Sequence, residues 1–211
     1  KYKLSVNDLI IPYSFNNHKK YKQFNLCKNY FFSQKYFIYS NKMILLRKKT
    51  SIKNIVKTCL ISFGGTDMTK TIYLILAKLC KSNPKINFIT NFKINKKLQY
   101  HKKIIKLSKN FKNIKIKNLQ NDFSEIIYKS DIIISSSGLT KYESSFLGKP
   151  VIRIYRNINE KKIDQHFKKI NLTNSFMYNE LDKFQTYFKK LSNNYNIRKK
   201  IFNKCIGSTK I

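Results

Sequence analysis

From residue 58 onward the chain alternates short apolar runs with amphipathic stretches, and this alternation restricts the fold more than any other feature. Thr58–Phe63, Ile86–Thr90, Ile114–Lys117, Asp131–Ser135, Val151–Tyr155 and Ser175–Tyr178 read as strands. Between them lie helical patterns. Thr69–Lys81 carries Ile72, Ile75, Leu76 and Leu79 on one face, and Asn95–Asn110 carries Leu98, Ile104, Ile105 and Leu107. Asp122–Ser130 has Asp122 in N-cap position, and Leu139–Leu147 ends at Gly148 with Pro150 just beyond. Asn159–Ile170 follows, and two more helices cover residues 180–191 and 194–205. Strands alternating with helices require parallel crossovers. The expected fold is therefore α/β, a doubly wound parallel sheet of about six strands.

Residues before this rhythm read differently. Asp8–Pro12 looks like a short strand stopped by its proline, and residues 13–55 show no clean helical period. They hold two aromatic runs, Tyr30-Phe31-Phe32 and Tyr36-Phe37-Ile38-Tyr39, then a basic stretch from Arg47 to Lys53. The expectation is a remnant of a preceding domain plus a linker over residues 1–50, and one domain over 51–211. The missing initiator Met fits a piece of a longer protein.

Composition narrows the class. A chain of 211 residues, 42% hydrophobic, can bury one sizeable core. No apolar stretch is long enough to span a bilayer, and the start lacks a signal-peptide pattern, so a cytoplasmic location is expected. Cys27, Cys59, Cys80 and Cys205 are far apart and have no His at metal-ligand spacing. They read as buried thiols in a reducing compartment, with no metal or cofactor site. Forty-four basic residues stand against ten acidic, a formal charge of +34. That excess suits a polyanion. The lysines are spread along the whole chain, however, and the aromatics sit in apolar patterns without RNA-recognition signatures. Nucleic-acid binding is accordingly not the expected main function, although the field would help a phosphorylated substrate approach.

Two glycine-bearing turns stand out. Phe63-Gly64-Gly65-Thr66-Asp67 joins a strand to a helix, as does Ser135-Ser136-Ser137-Gly138-Leu139-Thr140-Lys141-Tyr142-Glu143. Such turns present free backbone N–H groups and suit a phosphate. Neither is a dinucleotide fingerprint or a Walker loop. The first also reads as a plain strand–helix turn. In the second, Thr140 and Glu143 share a helix face, and Glu143 could accept two hydrogen bonds from a sugar diol or serve only as a first-turn carboxylate. Asp164-Gln165-His166 offers a Gln that could donate to a phosphate or sugar hydroxyl, and equally reads as three solvated polar residues. His18, His101 and His166 are too scattered to form a site. No nucleophile elbow, triad order or glycosidase carboxylate pair is present.

The succession Ile-Ser-Phe-Gly-Gly-Thr-Asp, Ser-Asp-Ile-Ile-Ile-Ser-Ser-Ser-Gly-Leu-Thr-Lys-Tyr-Glu, Leu-Gly-Lys-Pro-Val and Asp-Gln resembles a known family. It is that of the UDP-2,4-diacetamido-2,4,6-trideoxy-β-L-altropyranose hydrolases of pseudaminic acid biosynthesis. More distantly it is similar to the UDP-N-acetylglucosamine transferase that makes lipid II. Where the hydrolases typically have Gly-Gly-Ser-Thr-x-Tyr-Glu, this chain has Ser137 for the first Gly and Leu139 for the Ser. The resemblance, which covers roughly residues 8–205, implies the C-terminal Rossmann-like domain of a GT-B fold gripping the UDP of a nucleotide sugar. It implies that Gly64, Gly65 and Thr66 line the diphosphate, with Ser137, Gly138 and Thr140 facing it from the second loop. Glu143 would take the ribose hydroxyls, Gln165 the donor sugar or phosphate, and Leu119–Phe123, Phe123 included, would border the uracil. It places the catalytic base, a His, in the family's N-terminal domain, so no catalytic residue is expected in residues 1–211, and that domain of the same protein is the expected partner.

Overall fold

The structure is a computed structural model that describes residues 6–11, 27–32, 36–63, 69–92, 95, 97–117 and 123–209. Its main sheet has six strands: β3 (Thr58–Ser62), β4 (Asn87–Asn91), β5 (Ile114–Lys117), β6 (Ile132–Ser135), β7 (Val151–Tyr155) and β8 (Ser175–Met177). β1 (Val6–Ile11) and β2 (Cys27–Phe32) form a separate parallel pair, in which Asn29 Nδ2 donates to Asp8 Oδ1 at 2.8 Å.

The order of the main sheet is β5-β4-β3-β6-β7-β8, and all five pairings are parallel. The chain runs outward from β3 to β5, returns to the middle, and runs outward again from β6 to β8. This is the doubly wound order expected from the sequence. Its topological switch point lies between β3 and β6, the two strands that feed the glycine-bearing turns. Residue choice follows position in the sheet. Ile132, Ile133 and Ile134 of central β6 are fully buried, since helices cover both faces. Edge strand β5 reads Ile-Lys-Ile-Lys and buries only Ile114. Lysines on an exposed edge discourage pairing with another chain.

The helices are α1 (Asn41–Lys48), α2 (Thr69–Ser82), α3 (Gln99–Asn110), α4 (Phe123–Lys129), α5 (Thr140–Phe146), α6 (Ile158–Ile163), α7 (Leu181–Asn193) and α8 (Tyr195–Ser208). One core packs α2, α3, α7 and α8 on the sheet face of Cys59, Ile61, Phe88, Ile132, Ile134, Ile152 and Ile154. The other packs α1, α4 and α5 on the opposite face, against Leu60, Ile133 and Val151. Cys59, Cys80 and Cys205 are buried free thiols. Gly148, just past α5, has φ 70° as a helix C′ residue should.

Two segments depart from the sequence reading. The helix expected over Asn159–Ile170 breaks at Asp164, giving α6 and then a 3₁₀ turn over Gln165–Lys169. Asp164 leaves the helix because its side chain is drawn into a buried ion cluster. Within the stretch that showed no helical period, α1 forms on a Ser40 N-cap whose hydroxyl accepts from Met43 N at 3.2 Å. Met43 is its only buried residue and Leu45 is 60% exposed, so its apolar residues do not follow a helical stripe. Arg47 secures α1 to the sheet domain. It donates to Phe146 O, to Ile206 O at 2.8 Å and to Thr209 O at 3.2 Å, while the Tyr39 ring stacks on Phe146.

Candidate functional site

Ser62 pairs with Ser135 in the sheet, so the loops that follow β3 and β6 leave the same edge side by side. Ligands of doubly wound sheets bind in the crevice at this carboxyl edge, at the switch point. Gly64, Gly65 and Thr66 lie outside the described residues. Ser62 and Phe63 before them and Thr69 after them are in place.

Strand register lays a polar row across that edge. Asn91 pairs with Lys117, Ile61 with Thr90, Ser62 with Ser135, and Ser135 with Arg153. Side chains two apart share a face. Asn91, Ser62, Ser135 and Arg153 therefore continue the face of Ile89, Leu60, Ile133 and Val151, where the second core gives way to polar groups. Asn91 Oδ1 and Thr90 Oγ1 are buried and have no hydrogen-bond partner among the described residues.

The second loop is fully described. Ser137 is half-buried, Gly138 is exposed, and Thr140 is buried at the start of α5. Among the described residues, a Cβ built on Gly138 would meet only Ser136 Oγ, at 4.0 Å. One turn further, Glu143 is half-buried, and burial pushes its carboxyl above the usual carboxylate range. No described residue donates a hydrogen bond or an ion pair to it. A partly desolvated carboxylate without a partner costs stability, and such groups gather at functional sites. Phe123 opens α4, half-buried against the second core, where α4 lies beside α5. Gln165 opens the 3₁₀ turn directly after Asp164.

Asp164 brings these segments together, a role that reading it as one of three solvated polar residues misses. Its carboxylate is fully buried. It accepts hydrogen bonds from Lys141 Nζ and Tyr155 OH and forms an ion pair with Arg153, whose Nε lies 3.0 Å from Oδ2 and donates to Tyr155 OH at 3.0 Å. Lys141 Nζ also donates to Ser137 O at 2.7 Å. Arg153 continues the network to Thr173 Oγ1 at 2.9 Å and Thr173 O at 3.1 Å. Burial lowers the Lys141 pKa, with Asp164 opposing, and raises that of Tyr155. Of the alternatives left open by the sequence, a solvated Asp164 is thereby ruled out. The cluster ties the Ser137 loop, α5, β7 and the approach to Gln165 to one carboxylate. His101, by contrast, is buried in the body of the domain, where Nδ1 accepts from Asn95 N at 2.9 Å. Among the described residues, no His, Cys, Asp and Glu group could hold a metal ion, and no helix is long and apolar enough to cross a membrane.

No protein-family model matches the chain. It is 31% identical over 180 residues to the uncharacterized protein MJ1062 of Methanocaldococcus jannaschii, a match covering 82% of this chain and 37% of that protein. Solved structures share the fold. The UDP-GlcNAc 2-epimerase of Neisseria meningitidis bound to UDP-GlcNAc is 22% identical with a TM-score of 0.58, covering 79% of this chain and 44% of the epimerase. MurG of Acinetobacter baumannii is 12% identical with a TM-score of 0.63, covering 92% and 59%. TarM of S. aureus, in complex with UDP among other ligands, is 13% identical with a TM-score of 0.65, covering 96% and 40%. The domain thus has the Rossmann-like architecture of GT-B proteins, and the chain spans less than two thirds of each of these relatives.

Proposed function

We propose that this domain grips the UDP of a nucleotide sugar, and that the protein it belongs to cleaves the sugar–UDP bond with water as acceptor. Glu143 carries the reading. It is a half-buried carboxylate with no partner among the described residues, one helical turn into the element that leaves the switch point, and a ribose diol would supply two donors to it. The diphosphate would lie between Gly64-Gly65-Thr66 and Ser137-Gly138, with Thr140 beside it. The uracil would lie toward Phe123, and Gln165 would contact the donor sugar or phosphate. The polar row beneath would form the floor.

In this reading the domain supplies the hold on the leaving group and another domain of the same protein supplies the base that activates water. The loops' amides would stabilise charge as UDP departs. A second reading keeps the same grip and transfers the sugar to an acceptor hydroxyl, and the fold shared with MurG and TarM suits it equally. Calorimetry should show saturable binding of UDP that discriminates against other nucleotides. Binding to any RNA or DNA with a steep salt dependence, and none to UDP, would instead assign a basic nucleic-acid module. Residues 1–211 incubated with UDP-2,4-diacetamido-2,4,6-trideoxy-β-L-altropyranose should release UDP far more slowly than the roughly 1 s⁻¹ typical of enzymes. Turnover at that rate would place the base within this chain.

A further inference from the structure

Two cations and one carboxylate, Lys141, Arg153 and Asp164, are buried together under the second loop. Burying charges is costly, and well-packed apolar residues often do as well for stability. What the cluster provides here is orientation. Lys141 Nζ, anchored by Asp164, pulls the Ser137 carbonyl inward. In a trans peptide the carbonyl and the following N–H point in opposite directions. The Gly138 N–H therefore points away from Lys141, and Gly138 is exposed, with no described residue other than Ser136 within 4 Å of a Cβ built on it. An unrestrained Ser137–Gly138 peptide could turn its carbonyl toward an anion and repel it. We propose that Lys141, held by Asp164, is a positioning residue that fixes this peptide with its carbonyl turned inward and its amide presented to the diphosphate. This rests on the nucleotide-sugar reading. The role belongs to Lys141 and Asp164 jointly, since Lys141 without its carboxylate would be a buried charge held by a carbonyl and the Tyr142 and Phe167 rings, with no counterion.

The test compares wild type with Lys141→Met, using UDP and uridine as probes and thermal melting as a check on folding. Lys141→Met should weaken UDP about tenfold or more, the factor contributed by one hydrogen bond to a charged group, and leave uridine within about twofold. Wild type should also lose UDP affinity as pH rises through the lowered Lys141 pKa, a step missing from Lys141→Met that a merely structural lysine would not produce. Equal losses for both probes, or an unchanged UDP affinity in the folded variant, would overturn the proposal. A second measurement needs no variant. With five glycines in the chain, the Gly138 amide can be followed by ¹⁵N-resolved NMR. Saturating UDP should move it and uridine should not, and a Gly138 signal unmoved by UDP overturns the latch whether or not Lys141→Met folds. If wild type does not bind UDP at all, the nucleotide reading fails by itself. Inorganic pyrophosphate is then the probe: a shifted Gly138 amide retains the latch, and an unmoved one removes it.

Discussion

Glu143→Gln should weaken UDP binding while stabilising the free protein, and the opposite signs separate a ligand-binding carboxylate from a structural one. The free-protein effect follows from burial. The ionised carboxyl of Glu143 is penalised in the fold, with no described donor or cation to offset it. Its folded-state pKa is raised above the unfolded one, so the penalty grows as pH rises past the unfolded value and is fully present once pH is above both. A neutral Gln of the same shape removes it, and the melting temperature should rise. Binding should go the other way. A ribose diol donates two hydrogen bonds to a carboxylate, each worth about 1.5–3 kcal/mol because the acceptor is charged. Gln keeps one acceptor oxygen and presents an NH₂ where the second was. About one such bond is lost, which weakens UDP by about 10–150-fold. The carboxylate is already partly desolvated before the ligand arrives, so less of this is cancelled by stripping water from it. Calorimetry with UDP and with pyrophosphate reads the effect, and pyrophosphate affinity should be unchanged. Wild-type UDP affinity should also fall as pH drops through the raised Glu143 pKa, while the Gln variant stays flat there. Equal losses for UDP and pyrophosphate, or a variant less stable than wild type, would refute the reasoning.

Two further outcomes test the scaffold. Lys149, buried near Asp131, Lys53 and Arg198 with its ammonium 5.4 Å from the Tyr128 ring centroid, has its pKa lowered to about 8 chiefly by desolvation. Between about pH 8 and its ordinary value of 10.5 the unfolded chain holds the proton that the fold rejects, so stability rises with pH. Relative to Lys149→Met, wild type should gain on the order of 3 kcal/mol across that window in denaturant titrations, and parallel curves would contradict the assignment. Gly148→Ala forces a side chain onto φ 70° with its Cβ 2.5 Å from Phe202 Cδ2, and should cost about 2–4 kcal/mol by the same assay. A loss under 1 kcal/mol would mean that α8 yields there.

The doubly wound sheet was legible because its signal is repeated and local. Ile132-Ile133-Ile134 is apolar at consecutive positions because both faces of β6 are covered, and the Ile-Lys alternation of β5 marks an edge. Periods of 3.6 and 2 survive whatever the partners are. The parts that escaped depend on partners far away in sequence. α1 buries only Met43, and Arg47 fixes it through carbonyls near residue 146 and beyond 205. β2 exists as a strand through its pairing with β1, which no local pattern announces. The helix expected over 159–170 has a suitable pattern throughout, and breaks where tertiary ion pairing at Asp164 outweighs propensity.

The candidate site divides along the same line. Ser137, Gly138, Thr140 and Glu143 lie within seven residues at one strand-to-helix turn, so the sequence pattern alone was enough to group them as candidates. The Asp164 cluster draws on α5, β7 and the segment between α6 and the 3₁₀ turn. In sequence Lys141 is one of many lysines in a basic chain, Arg153 interrupts an apolar strand, and Asp164 looks solvated. Burial gives them meaning, because an Arg at 2% exposure in a strand needs a counterion as well as hydrogen-bond acceptors, and Asp164 is the carboxylate it pairs with. Arg153 was the available clue. In Val151–Tyr155 it is the single charge in a strand whose other four residues suit a covered sheet, and a charge at such a position requires a counterion elsewhere in the chain. With ten acidic residues against forty-four basic, the choice of counterion was short, and the carboxylate that answered it also sets the loop on which the proposed ligand would rest.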